Sequence, residues 1–93
     1  MSVTTTKKNE AFQSQPLQDC KLSDVPGVGE VSLKKLNEAN IDTAEKLVGQ
    51  FLTMGRDTDK MSRWLEDVCE IRSTESKKVA EALGEKAAKL VIH

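Results

Sequence analysis

Val25-Pro26-Gly27-Val28-Gly29 packs a proline and two glycines between stretches whose apolar spacing is helical. Inside a helix, glycine costs about 1 kcal/mol against alanine and proline about 3. No helix can run through this segment, so a helical fold of this chain must turn here. Gly27 is free to take positive φ, and Gly29 leaves the backbone open to close approach. Val28, between them, points inward and pins the turn to a core.

A Pro-Gly-hydrophobe-Gly pattern between helices is that of a helix-hairpin-helix turn. The first N–H groups of the helix behind it have no intrahelical partner. They lie at the positive end of the helix dipole, which makes an anion site. A DNA phosphate fits there without any basic side chain. Lys34 and Lys35 follow on the same helix, and Lys35 is within two turns of the hairpin. Contacts of this kind hold the backbone and carry no base information. The chemistry implied is sequence-independent, salt-sensitive binding of double-stranded DNA. The plainer reading of the same residues is a tight connection beside a solvated lysine pair.

The rest of the chain reads as helix. A short helix fits residues 6–13, with Phe12 as its anchor and Pro16 closing the region. A brief helical turn fits near Lys21, Ser23 and Asp24. A firmer helix runs from Gly29 to Ala39, ended by Asn40 in the left-handed conformation. Asp42, with Glu45 three residues on, offers a capping-box variant for the next helix. Ala44, Leu47, Val48, Phe51 and Leu52 form its apolar stripe, and Gly55 ends it. Asp57 caps a helix on which Met61, Trp64, Leu65, Val68 and Cys69 repeat the spacing. Ser73 caps the last helix, with Val79, Leu83, Ala87, Leu90 and Val91 facing inward. Phe51, Met61 and Trp64 read as core or, in part, as a self-association surface. No stretch alternates long enough to be a strand. The expectation is a single all-α domain over residues 1–93. It is a compact bundle of five to six short helices containing the hairpin, with residues 1–5 as a flexible tail.

The 93 residues bury only a modest core, and such a core often gains from a second copy of the chain. Net charge is −1, which by itself argues mildly against nucleic acid. The distribution is more informative. Residues 1–35 balance at +1, residues 36–71 at −4 and residues 72–93 at +2. Cys20 and Cys69 lack metal-ligand spacing and suggest a reducing compartment, cytosolic or nuclear. No apolar segment suggests a signal peptide or membrane insertion. No cofactor or metal is called for. His93 is the single histidine, and neither a phosphate-binding loop nor a paired Cys-x-x-Cys is present. Glu66 and Asp67 are adjacent on a helix and face apart. An enzyme is therefore not expected.

Four segments, "GVGEV" at 27–31, "KKL" at 34–36, "GQFL" at 49–52 and "WLEDVC" at 64–69, closely resemble the barrier-to-autointegration factor family. Order and gaps agree from Leu22 to about Cys69 without insertion. The Thr-rich, Lys-containing N-terminal segment is similar in kind. The resemblance implies a helical homodimer that bridges two DNA duplexes without reading sequence. It implies roles in chromatin organisation and nuclear envelope assembly, in nucleus and cytoplasm. LEM-domain proteins, lamins and histones are the implied protein partners.

By matching position, the resemblance assigns backbone contacts with DNA to Gly27, Val28, Gly29 and Val31. Lys35 and Lys8 become phosphate-binding lysines. Ser73 and Thr74 stand at a second amide-donating helix end, with Lys77 as its basic residue. Gly49, Gln50, Leu52 and Trp64 match the dimer interface. Ile41, Val48 and Thr53 match part of the LEM-binding groove. Two stretches depart from the family. "STESKKVAEALGEKAAKLVIH" at 73–93 has neither the cysteines nor the aromatics of the family's last helix, and Thr53-Met54-Gly55-Arg56 is less basic and apolar.

Thr4, Thr5 and Thr6 lie beside Lys7 and Lys8. They read either as plain tail or as phosphorylation acceptors, because new negative charge there would repel DNA phosphate. The alternative to DNA binding is a helical protein-interaction module without nucleic acid, which the acidic middle also fits.

Overall fold

The computed structural model of the chain describes residues 7–89 and is helical throughout its regular elements. Helix α1 is Lys7–Ser14, α2 Glu30–Glu38, α3 Ala44–Thr53, α4 Thr58–Cys69 and α5 Ser73–Lys89. Between α1 and α2 lie two single turns of 3-10 helix, Leu17–Asp19 and Leu22–Asp24. The second fits the turn expected near Lys21; the first was not expected. No strand occurs among the described residues, and none of their helices is long and apolar enough to cross a membrane. Thr4, Thr5, Thr6, Leu90 and Val91 lie outside the described residues.

The ends of α2 and α3 share one device. Asn40 takes φ 68°, its N–H bonds to the Asn37 carbonyl at 3.0 Å, and the Ile41 N–H reaches back to Leu36 at 2.8 Å. Gly55 at φ 73° ends α3 in the same way, with Arg56 N–H donating to Phe51 at 3.2 Å. This double closure satisfies carbonyls that the helix leaves orphaned. At the N-termini, Thr43 Oγ1 accepts from the Lys46 N–H and Asp57 Oδ1 from the Lys60 N–H, each at 3.1 Å.

Two caps differ from the sequence reading. Thr43, not Asp42, caps α3, because its hydroxyl sits one residue closer to the free amides. Asp42 instead pairs with Lys46 at 2.8 Å, and that hydrogen bond lowers its pKa. Ser73 is the first residue of α5 rather than its cap. The Arg72 carbonyl before it accepts from the N–H groups of Glu75 and Ser76.

The most extensive helix pair is α4 with α5; α2 packs on α4, while α1 and α3 pack on α5. Met61, Leu65 and Cys69 of α4 and Val79, Leu83 and Ala87 of α5 are all buried in one core with Phe12, Leu36, Leu47 and Phe51. Each large apolar side chain so buried contributes about 1.5–3 kcal/mol. The radius of gyration is 12.1 Å, against about 12 Å for one domain of this length.

Two polar groups inside this core hold helices in place. Ser62 and Ser76, both buried, share a hydrogen bond of 2.7 Å between α4 and α5. Lys86 of α5 is only 3% exposed. Its ammonium donates to the Phe12 carbonyl at 2.6 Å and also to those of Gln13 and Gln15, and it lies 5.1 Å from the Phe12 ring centre. These carbonyls end α1, so the lysine stands at the negative end of that helix dipole.

Candidate nucleic-acid interface

Val25 and Val28 are both buried and hold the turn from either side. The Val28 N–H donates to the Val25 carbonyl at 3.1 Å. This amide is therefore not among the outward donors that the sequence suggests. Gly27 has φ +89°, and a Cβ there would lie 2.8 Å from Val79 Cγ2 and 3.1 Å from the Glu75 carbonyl oxygen. The turn thus sits directly on the first two turns of α5, and glycine is required by both conformation and space.

Gly29 differs. Its φ is −99° and its ψ −171°, ordinary extended backbone, and a Cβ there would meet nothing within 4 Å. The fold does not need a glycine at this position. Gly29 is the N-cap of α2, with no side-chain cap, and its carbonyl takes the first helical bond, from Leu33 N–H at 2.8 Å. Among the described residues nothing accepts from the N–H groups of Gly29, Glu30 or Val31. Val31 beside them is 63% exposed, the only large exposed hydrophobic residue among those described. Open donors at a helix N-terminus and an exposed apolar side chain thus fall within three consecutive residues.

The start of α5 adds a second set of donors. Glu75 and Ser76 N–H groups are taken by Arg72, which leaves those of Ser73 and Thr74. Ser73, Thr74 and Lys77 are exposed. The Ser76 hydroxyl accepts from Ser62 and donates to the Ser73 carbonyl at 3.0 Å, with the Glu66 carboxylate at 3.3 Å as the alternative acceptor. This network fixes the first turn of α5 against α4. Because Gly27 rests on Glu75, Lys78 and Val79, the hairpin and the start of α5 are neighbours.

The lysines divide into free and engaged. Lys8 and Lys34 are exposed. Lys8 is on α1, which packs against the 3-10 turn Leu22–Asp24 that leads into the hairpin. Lys35 is 3.0 Å from the Glu70 carboxylate, and that hydrogen bond raises its pKa. Cys20 and Cys69 are buried free thiols whose pKa desolvation raises. No cluster of metal-ligating side chains occurs among the described residues.

A model of the barrier-to-autointegration factor family matches residues 3–90. The chain belongs to the barrier-to-autointegration factor family. Similar proteins include barrier-to-autointegration factor of Homo sapiens, 35% identical over 75 residues, with 81% of this chain and 84% of that protein covered. The Danio rerio protein of that name is 33% identical, covering 71% and 73% of the two chains. The Drosophila melanogaster protein is 26% identical, covering 77% and 80%. The family match runs through α5, including the stretch after Cys69 whose composition is unusual.

The other positions matched to the barrier-to-autointegration factor family fall in two environments. Gly49, Gln50 and Leu52 of α3 and Trp64 of α4 are half-buried, with nothing within 4 Å of a Cβ at Gly49. Trp64 is thus less enclosed than Phe51 and Met61, which are core residues. Ile41 and Val48, matched to the family's partner groove, are buried at 8% and 1% exposure and serve this chain's own core. Thr53 is exposed, its hydroxyl donating to the Gln50 carbonyl at 2.7 Å.

Two residues, one in the core and one beside Lys35, escaped the sequence reading. Lys86 had a visible signal: it takes the i+7 place in the apolar stripe that Val79 begins. Glu70 had none, since its partner Lys35 is far away in the chain.

Proposed function

We propose that the chain binds double-stranded DNA without reading its sequence and, as a homodimer, bridges two duplexes. The observation that carries this is the open set of amides at Gly29, Glu30 and Val31, beside the start of α5. Backbone donors at a helix N-terminus suit a phosphate. They ask nothing of the bases. They also explain how a chain of net charge −1 can hold DNA. The exposed Lys8, Lys34 and Lys77 supply local positive charge around them. Each chain has one such hairpin, so a two-fold pair offers two.

Family membership supports the finer reading: a nuclear and cytoplasmic protein acting in chromatin organisation and nuclear envelope assembly. Its partners would be LEM-domain proteins, lamins and histones. No catalytic step is part of this reading.

Gly29→Glu tests it. The new side chain enters empty space at ordinary φ, so circular dichroism and melting temperature stay near those of the unaltered chain. Its carboxylate lies where a phosphate would sit, so binding to unrelated duplexes falls at least tenfold. For the unaltered chain, affinity drops steeply between 50 and 200 mM salt. Undiminished binding by Gly29→Glu removes the hairpin from the interface. Absence of duplex binding at low salt favours the protein-interaction module instead.

A further inference from the structure

Helix α4 ends on Glu70 at φ 55° and ψ 44°, the left-handed conformation. Glycine or asparagine normally fills that position, because a Cβ is strained there. The Glu70 N–H bonds to the Glu66 carbonyl at 2.9 Å, a closure that any residue but proline could make. A glutamate side chain adds nothing to the cap. What it does is cross to α2, where its carboxylate meets the Lys35 ammonium at 3.0 Å. Glu38 is a second acidic neighbour that also raises the Lys35 pKa. The two paired side chains remain 35% and 71% exposed, so another anion can reach them. Exposed pairs of this kind are weak and readily exchanged. A strained backbone residue whose side chain engages a site lysine is a reason to look for a functional role.

We propose that Glu70 stands in for a DNA phosphate at Lys35, occupying the ammonium in the free protein and yielding it when duplex backbone docks. This rests on the DNA-binding reading above and names a residue that sets its strength. The exchange trades one anion for another, so a small isolated anion gains little at Lys35. A duplex already held at the hairpin amides brings its next phosphate to Lys35 at high effective concentration. The pair therefore favours a continuous polyanion over single anions. Glu70 is a positioning residue, acting on the ligand through Lys35.

The test is a double-mutant cycle on the full chain, with one random-sequence duplex and fluorescence anisotropy at two salt concentrations. Glu70→Gln tightens binding by about 1.5- to 5-fold, the range expected for freeing one exposed ion pair. Lys35→Met weakens binding and lowers the salt slope by about one. In the Lys35→Met background, Glu70→Gln gives no gain beyond that of Asp67→Asn, which removes an exposed carboxylate elsewhere on α4. Glu70→Gly keeps the gain in affinity and raises the melting temperature, because the backbone strain is relieved. Equal gains from Glu70→Gln with and without Lys35 overturn the proposal, since they reflect only the removal of a negative charge. So does a Glu70→Gly protein that is stabilised but binds no better. Failure of the unaltered chain to bind duplex at low salt overturns the DNA reading and this proposal together.

Discussion

Gly27 and Gly29 answer different demands. The sequence assigns Gly27 to a positive φ and Gly29 to close approach by a ligand, and the φ of +89° at Gly27 agrees. At Gly27 the space is taken by the chain itself: Val79, Lys78 and the Glu75 carbonyl crowd the missing Cβ. Gly27→Ala combines a positive φ with an overpacked contact against backbone. It should lower unfolding free energy by about 2–4 kcal/mol, measured by urea denaturation. A loss below about 1 kcal/mol would mean that α5 yields easily and that the turn is not seated as described. A charged residue at Gly27 would confound loss of fold with loss of binding, and Gly29 separates them. The need for a glycine at 27 was legible in the sequence. The positive φ was legible too, but the crowding was not, because it comes from a helix about 50 residues further along the chain.

Among the elements, α1 depends most on one distant side chain. It is eight residues long, too short to be stable alone. Phe12 anchors it, and Lys86 of α5 bonds the carbonyls at its end. Lys86→Met keeps the aliphatic stem and removes the donors. Buried carbonyls lose their partner, at a cost of about 1–3 kcal/mol. Amide hydrogen exchange should quicken in α1 more than in α4, since opening would be local. Uniform exchange rates across both helices would count against a local role for Lys86.

The contrast with α4 explains what a sequence can carry. Asp57, Met61, Leu65 and Cys69 act within one helix, through spacing and a cap, so α4 could be read directly. Ser73 and Asp42 missed their capping roles by one residue because neighbouring groups compete for the same amides. Lys86 with Phe12, and Lys35 with Glu70, are settled by packing between distant segments. No local pattern encodes such pairs. The hairpin lies between these cases: its turn is local, but its place beside the start of α5 is tertiary.

At the scale of the molecule, one chain carries one hairpin, and bridging requires two. Leu52 and Trp64 are only partly buried, as are Leu33, Val68 and Ile71 around the same core. The proposed dimer would cover apolar surface of this kind. Gly49 is where fold and assembly can be separated. A side chain at Gly49 meets nothing within 4 Å in the single chain, and its φ is not positive. Gly49→Glu should leave the chain as stable as before, or more so by about 0.5 kcal/mol from helix propensity. At a dimer interface the same carboxylate would be buried without a partner and would disrupt the contact. Light scattering should give the unaltered protein twice the chain mass of 10.3 kDa and Gly49→Glu the single mass. An immobilised duplex should then capture a second, labelled duplex through the unaltered protein but not through Gly49→Glu, while direct binding of one duplex persists with reduced avidity. An unaltered chain that scatters as a monomer at micromolar concentration rejects the dimer. A dimeric Gly49→Glu moves the interface elsewhere. Loss of single-duplex binding in a well-folded Gly49→Glu monomer would show that the hairpin needs its partner to hold DNA at all.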